Sequence, residues 1–315
     1  MSEKTGISWT HHTFNPWWGC VKVSPACAHC YAERDSKRYG FTVWGPDSDR
    51  RFFGDAHWKE PRHWNAHARR LGQRRRVFCA SMADICEIVT RPDIAAQMEH
   101  ARARLWTLIE ETPHLDWLLL TKRPENFKRL LPATWFEQPQ PNVWLMTTVE
   151  DQPHADRRLT HLLNTPAIVH GVSYEPALGA VDFSPYIGAG RRTLVGLDWI
   201  VAGGESGGQA RPSHVAWFRA VRDACQRAGV PFHFKQWGEY VPVAPIYGSD
   251  PVYGDLDTSA AVRDDRCEIL TPHSVWLEGD GQPPSGSWMV ERVGKQAAGR
   301  TLDGREWQEF PAVQI

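Results

Sequence analysis

The chain has 315 residues, 42% of them apolar, which suffices for one large α/β domain or two ordinary ones with a sizeable core. Its 36 basic and 37 acidic side chains nearly cancel, so net charge does not make it a binder of polyanions, and only a local basic surface is left for that role. No apolar run approaches the roughly 18 residues of a membrane span, and the polar segment Met1–Thr10 lacks the apolar centre of a signal peptide; a reducing cytoplasm is the expected location, with no membrane partner.

A first strand is expected near Gly6–Thr10. After it, three of the seven cysteines, Cys20, Cys27 and Cys30, crowd into eleven residues, a pattern that in a reducing compartment argues for metal ligation rather than disulfides. A helix is expected to start near Cys30. Residues Gly40–Asn65, rich in aromatics, glycine and charge, read as an insertion behind it. Between Pro61 and Ala83 there are six arginines and no acidic residue; Arg69, Arg70, Arg74, Arg75 and Arg76 are concentrated there, with Trp58 and Trp64 upstream. Most charge runs are solvated faces, but a basic patch interleaved with aromatics can grip phosphates while stacking bases, and it is the best substrate clue in the chain.

From residue 77 onward short apolar runs alternate with helical patterns. Strands are expected at Val77–Met82, Leu115–Thr121, Asn142–Thr148, Ala167–Ser173, Leu197–Ala202 and Pro231–Lys235, most of them rich in branched or aromatic residues like buried parallel strands. Ile94, Met98, Ala101, Leu105 and Leu108 keep helical spacing behind Pro92, a shorter helix fits Ala155–Leu163, and Ser213 can cap a helix that runs to Ala228 and ends at Gly229 and Pro231. Repeated strand–helix units specify a parallel sheet, either doubly wound or a barrel. The polar strand ends favour the barrel: Ser81 and Asp84; Thr121, Lys122 and Arg123; Thr147, Thr148 and Glu150; Ser173, Tyr174 and Glu175; Gly203, Gly204, Glu205 and Ser206; Lys235, Gln236 and Glu239. A doubly wound sheet uses a few strand ends at its switch point, whereas six consecutive polar ends suit a ring of loops around one site. The expected architecture is therefore an α/β fold with a partial or complete parallel (β/α) TIM-like barrel over residues 1–240, interrupted by the aromatic and basic insertion at about 40–65. Residues 241–315 form a C-terminal extension. Its Val241–Ser287, rich in Pro, Gly and Asp, reads as an irregular lid, and the Gly-punctuated basic stretch Gly294–Arg300 either packs strands back on the barrel or meets a phosphate, without Walker spacing.

Thiolates are soft ligands for zinc or iron–sulfur clusters. A structural zinc normally has a fourth protein ligand; His29 lies awkwardly between two cysteines, and Cys79 and Cys86 are distant candidates. Three thiols without an obvious fourth suit a [4Fe–4S] cluster with one open iron, and a zinc-stabilised loop is the alternative.

A three-cysteine loop after the first strand of a partial barrel resembles the radical-SAM superfamily. The usual spacing there is Cys-x3-Cys-x2-Cys with an aromatic before the last cysteine; this chain keeps the second half, places His29 at the aromatic position and has six residues in the first gap. Ile7-Ser-Trp-Thr10, Phe14-Asn-Pro-Trp-Trp-Gly-Cys20, Ser24-Pro25, Cys27-Ala-His-Cys-Tyr-Ala-Glu33, Thr121-Lys-Arg-Pro124, Ser173-Tyr-Glu-Pro176, Gly203-Gly-Glu-Ser-Gly207 and Lys235-Gln-Trp-Gly238 are together similar to a phage-associated uncharacterised family, over about residues 6–310. The superfamily resemblance implies that Cys20, Cys27 and Cys30 hold the cluster, that S-adenosyl-L-methionine binds its open iron, and that an electron donor such as flavodoxin or ferredoxin is a partner. It also implies a cofactor-binding role for Gly203, Gly204 and Glu205, to which Glu175, Lys122 and Thr148 are added as polar groups at neighbouring strand ends.

The expected function is a radical-SAM-like lyase or modifying enzyme acting at the barrel mouth. Phage kinship and the arginines point to DNA as the substrate, through base modification or photoproduct repair. The candidate nucleic-acid contacts are Arg69, Arg74, Arg75, Arg76, Arg123 and Lys235, with Trp237 as a stacking surface. Two rivals are a metal-stabilised nucleic-acid-binding protein without SAM chemistry, and a barrel hydrolase using carboxylates such as Glu175 and Glu205.

Overall fold

The computed structural model describes residues 5–187, 196–245, 259–262 and 288–312. Its centre is a parallel sheet built from β1 (His12–Phe14), β4 (Arg75–Cys79), β5 (Leu115–Thr121), β6 (Val143–Thr148), β7 (Val169–Tyr174), β8 (Trp199–Gly203) and β9 (Phe232–Gln236), hydrogen-bonded in that order. A separate two-residue pair joins β2 (Trp17–Trp18) to β3 (Arg51–Phe52) in antiparallel fashion. The strands of the main sheet read as near-continuous apolar runs because both of their faces are covered. Outward-facing Val77, Cys79, Leu119, Leu145 and Val172 belong to the large core shared with the helices. The other face holds a smaller core in which the register row Phe78, Leu118, Trp144 and Val169 packs with Met146, Trp199, Val201 and Trp9. Since β1 and β9 are the two free ends of the order, the barrel is partial rather than complete.

The helices are α1 (Tyr31–Arg38), α2 (Asp55–Leu71), α3 (Pro92–Glu110), the one-turn α4 (Phe127–Leu130) and α5 (Thr134–Glu137), α6 (Gln152–Leu163), α7 (Val215–Ala228) and the one-turn α8 (Lys295–Ala298). Helix α3 starts on Pro92, which fits the first turn because no intrahelical donor is needed there. Asp151 caps α6 by accepting from the His154 amide at 3.0 Å. Helix α7 ends at Gly229, whose φ of +67° closes the helix in the left-handed conformation.

Three expectations change. The first strand is His12–Phe14 instead of Gly6–Thr10: the Thr10 amide donates back to Ile7 O and its hydroxyl donates to His12 O, so residues 7–10 turn and drop Trp9 into the inner core. The second half of the expected insertion is helix α2, which buries His57, Trp58, Pro61, Trp64 and Ala68 along one face despite the internal proline. The cap of α7 is His214, whose Nδ1 accepts from the Ala216 amide, while Ser213 donates instead to Ala177 O at 2.7 Å.

The C-terminal extension packs strands back on the barrel. Three short strands, β10 (Tyr240–Pro245), β11 (Ser259–Val262) and β12 (Trp288–Arg292), form an antiparallel sheet in the order β10-β12-β11. After α8 and the hairpin β13 (Thr301–Leu302) and β14 (Arg305–Glu306), the chain runs antiparallel along β9: the Phe234 amide donates to Trp307 O and the Glu309 amide to Phe232 O. This covers an edge that would otherwise present unpaired backbone groups, and it places Phe310 against Trp199 and His233. Of the expected lid, residues 246–258 and 263–287 lie outside the described residues.

Candidate functional site

Parallel strands all end at the same side of the sheet, so their C-terminal loops converge. There they surround a cavity of about 840 Å³ lined by Cys20, Cys27 and Cys30, by Lys122, Arg123, Thr148, Glu175, Gly204, Glu205 and Lys235, and by side chains of the C-terminal extension. The three cysteines are free thiols, and Cys79, Cys86 and Cys225 are buried and do not line the cavity; Cys267 lies outside the described residues. No fourth thiol among the described residues therefore joins the three. Among those residues, too, no three His, Cys, Asp or Glu groups converge as a single-ion site.

The cysteine loop is held by buried polar groups on both sides. On one side, Arg123 donates to Val21 O at 2.7 Å, to Asp84 at 2.8 Å and to Cys20 Sγ at 3.6 Å. Asp84 also accepts from the Thr121 hydroxyl and from the Lys122 and Cys86 amides. Burial raises the Asp84 pKa, yet Arg123 and these donors outweigh it and hold the carboxyl below its usual range. The Val21 amide donates to Glu87 at 2.8 Å, and Glu87 in turn is held by Arg50, both side chains being buried. Burial and the charge of Glu87 push the Cys20 thiol up, with Arg123 acting in the opposite direction, and burial raises Cys30 as well.

On the other side, Glu205 accepts from the Arg211 amide and is forked by its guanidinium at 2.8 and 2.6 Å. Arg211 reaches on to Pro25 O at 3.1 Å, and His29 Nδ1 lies 3.4 Å from Glu205. Glu205 thus ties the end of β8 to the cysteine loop. Glu175 forms a two-oxygen ion pair with Lys235 at 2.6 and 2.8 Å and accepts from Gln236 at 3.3 Å. Both carboxylates expected to serve a hydrolase are therefore occupied by cations.

The glycines after β8 meet protein, not open space. A Cβ on Gly204 would fall 1.9 Å from Trp237 O, and one on Gly238 2.1 Å from Glu205 O, so the ends of β8 and β9 touch backbone to backbone. Gly203 sits at the end of β8, where a Cβ would meet the Glu175 carboxyl at 3.5 Å.

Several expected nucleic-acid contacts are placed elsewhere. Trp237 is buried against Phe218 and Phe234 with its ring N–H donated to Thr301 O, so it is core and not a stacking surface. Arg123 is spent on Asp84 and the cysteine loop rather than facing a phosphate. Arg74, Arg75 and Arg76 stand where β4 begins, at the opposite end of the strand from the cysteine loop, with Arg69 on the last turn of α2, and none of the four lines the cavity. Residues not singled out from the sequence matter more: Arg211, Glu87 and Arg50 hold the loop, Tyr31 donates to Ser81 O, and Arg34 lines the cavity, as do Lys295 and Arg300 of the basic stretch Gly294–Arg300. Glu205 and Arg211 are only six residues apart, a spacing that could have flagged the pair.

The chain belongs to the family described as "Protein of unknown function (DUF5131)", whose model matches residues 4–311. No curated protein matches it. Among solved structures it is similar to a spore photoproduct lyase double mutant with bound AdoMet and dinucleoside spore photoproduct, at 12% identity and a TM-score of 0.42 over 90% of this chain and 69% of that one. It is also similar to two single mutants of spore photoproduct lyase at 14% identity, with TM-scores of 0.42 and 0.41, covering 76% and 79% of this chain and 67% and 71% of those. No described helix is long and apolar enough to cross a membrane.

Proposed function

We propose that this chain is a [4Fe–4S] radical-SAM-type enzyme whose substrate, a nucleic acid, meets the cofactor at the mouth of the half-barrel. The observation that carries the reading is that Cys20, Cys27 and Cys30 line one cavity with the polar ends of β5, β6, β8 and β9. The donor set fits the group: three soft thiols without a fourth protein thiol beside them suit a cluster whose fourth iron stays open, and thiols that each bind a separate iron need not converge on a single point. When bound, such a cluster supplies one-electron cleavage of S-adenosyl-L-methionine to methionine and a 5′-deoxyadenosyl radical, the electron coming from a donor such as flavodoxin or ferredoxin.

The protein's own part is binding, orientation and exclusion of water. Cys20, Cys27 and Cys30 would hold the cluster. Arg123 and Glu87 fix the start of their loop and the Glu205–Arg211 pair fixes its end. Lys122, half-buried and without an ion-pair partner among the described residues, is available for a carboxylate. The Glu175–Lys235 pair offers an acceptor and a donor, groups that suit the amine or ribose hydroxyls of the same cofactor.

Anaerobic purification followed by iron, sulfide and zinc analysis tests this, with about four irons and four sulfides per chain expected. Dithionite and S-adenosyl-L-methionine should then yield 5′-deoxyadenosine. A colourless zinc protein would sink the proposal, as would a cluster that leaves S-adenosyl-L-methionine intact.

A further inference from the structure

The C-terminal extension brings two cations to the cavity that the cysteine site does not use. Lys295, on α8, is exposed and has no ion-pair partner among the described residues. Arg300, just past Gly299, is also exposed and engages Glu306 only through its Nε edge at 3.0 Å. Both line the same cavity as Arg34 of α1, which follows Cys30 by four residues. The position of Lys295 follows from the way the extension docks: the Trp237 amide donates to Gly299 O and its ring to Thr301 O, so the segment carrying Lys295 and Arg300 is fastened to the end of β9.

Charges in the cavity divide into two sets. Asp84, Glu175 and Glu205 are compensated inside the protein by Arg123, Lys235 and Arg211, Asp35 takes the Nε edge of Arg34 at 3.2 Å, and Glu239 accepts from the Gly207 amide. Lys122 and Lys295 form no ion pair with a carboxylate among the described residues, and Lys295 is held below its usual pKa by burial first and then by Lys235 and Arg34, against the opposing charges of Glu175 and Glu239. A surface on which the anions are neutralised internally while exposed cations are left over attracts a ligand anion. The same cavity presents aromatic surface: Tyr31 is 42% exposed, it lies one turn before Arg34 on α1, and Trp44 lines the wall nearby. Cations beside aromatic faces are the combination that binds a nucleotide unit, the cations taking the phosphate and the rings the base.

We infer that Lys295 and Arg300 of the C-terminal extension, together with Arg34, form the phosphate-binding rim of the cavity, and that the ligand it takes is the phosphodiester of a single-stranded or unstacked nucleotide segment. This deepens the proposed function and rests on it only for the chemistry that follows binding. It moves the nucleic-acid grip from the arginines before β4 to the extension.

Fluorescence anisotropy of the full chain, purified anaerobically, with a labelled single-stranded oligodeoxynucleotide provides the test. Replacing Lys295 and Arg300 together by alanine should weaken binding about tenfold near 0.15 M salt and lower the salt slope by about 1.4. Lys295→Arg should retain the slope. Arg69→Ala with Arg70→Ala should leave binding unchanged. Competition separates the sources of phosphate: an unlabelled oligonucleotide should displace the probe at far lower concentration than a nucleoside monophosphate or inorganic phosphate. An unaltered slope in the Lys295/Arg300 variant, or a loss that follows Arg69 and Arg70 instead, would overturn the inference, and displacement by inorganic phosphate as good as by the oligonucleotide would reject the nucleotide ligand. Iron and sulfide are measured on the same preparations, so a chain without cluster that still binds the oligonucleotide through Lys295 separates failure of the cofactor reading from failure of this one.

Discussion

Both ends of the half-barrel are rich in charge, but the charges are used differently. Where the strands begin, Arg74 donates to Asp116 at 2.7 Å and to Pro113 O, and Arg76 donates to Trp9 O with its guanidinium 3.8 Å from the Phe310 ring centre. These arginines close the floor of the barrel and bind its C-terminal segment. Where the strands end, equally charged residues surround a cavity of about 840 Å³, and part of their charge is left for a ligand. A run of arginines therefore indicates function only when the fold gives it room. The contrast between floor and mouth can be tested at both ends.

The largest effect is expected at the mouth. Alanine at Cys20, Cys27 or Cys30 should abolish bound iron and sulfide, measured by metal analysis, because each thiol is one of only three. Next comes the buried pair behind the loop. Asp84→Ala takes the carboxylate at 2.8 Å from Arg123, leaving only Glu87 at 3.8 Å among the described residues, and should cost about 3–5 kcal/mol in urea unfolding; an unfolding midpoint like that of the parent chain would show that the pair does not hold the loop.

The floor should respond to pH. His233 is fully buried, its Nε2 2.9 Å from Ser8 Oγ, and burial, followed by the nearby cations Arg76, Lys235 and Arg300, lowers its pKa from 6.5 to about 4. Between pH 6.5 and 4 the unfolded chain takes up a proton that the folded one refuses. This group's contribution is thus full above pH 6.5, falls as the pH drops and levels off below about 4, with a total of order 3 kcal/mol. His233→Gln should flatten that part of the stability curve. Arg74→Ala, which strands the buried Asp116, should lower stability by about 1–3 kcal/mol while leaving oligonucleotide affinity alone. Arg69→Ala, on an exposed helix end, should change unfolding free energy by less than about 0.5 kcal/mol, and a larger loss would give that residue a role in the floor.

Much of this arrangement was legible in the sequence, for identifiable reasons. Strands buried on both faces are continuous apolar runs, so β5, β6 and β8 stand out, and their polar last residues mark the mouth. The cysteines are close in sequence, so their common loop is evident. What could not be read are pairings between distant segments. Arg74 looks solvated until Asp116, 42 residues on, is placed beside it. Trp237 looks like a stacking surface until Phe218, Phe234 and Thr301 enclose it. Helix α2 was hidden by Pro61 and by aromatic residues that suggest a loop as readily as a buried face.

The docking of residues 307–309 along β9 has a further consequence, seen in exchange of backbone hydrogens. The amides of Phe234, Trp237 and Glu309 are all hydrogen-bonded across the same seam, to Trp307, Gly299 and Phe232. They should resist deuterium together and lose that protection together, since one local opening exposes all three. The opening that frees the edge of the sheet also carries Lys295 and Arg300 away from the cavity, and a bound oligonucleotide should slow exchange at Phe234, a residue it does not touch.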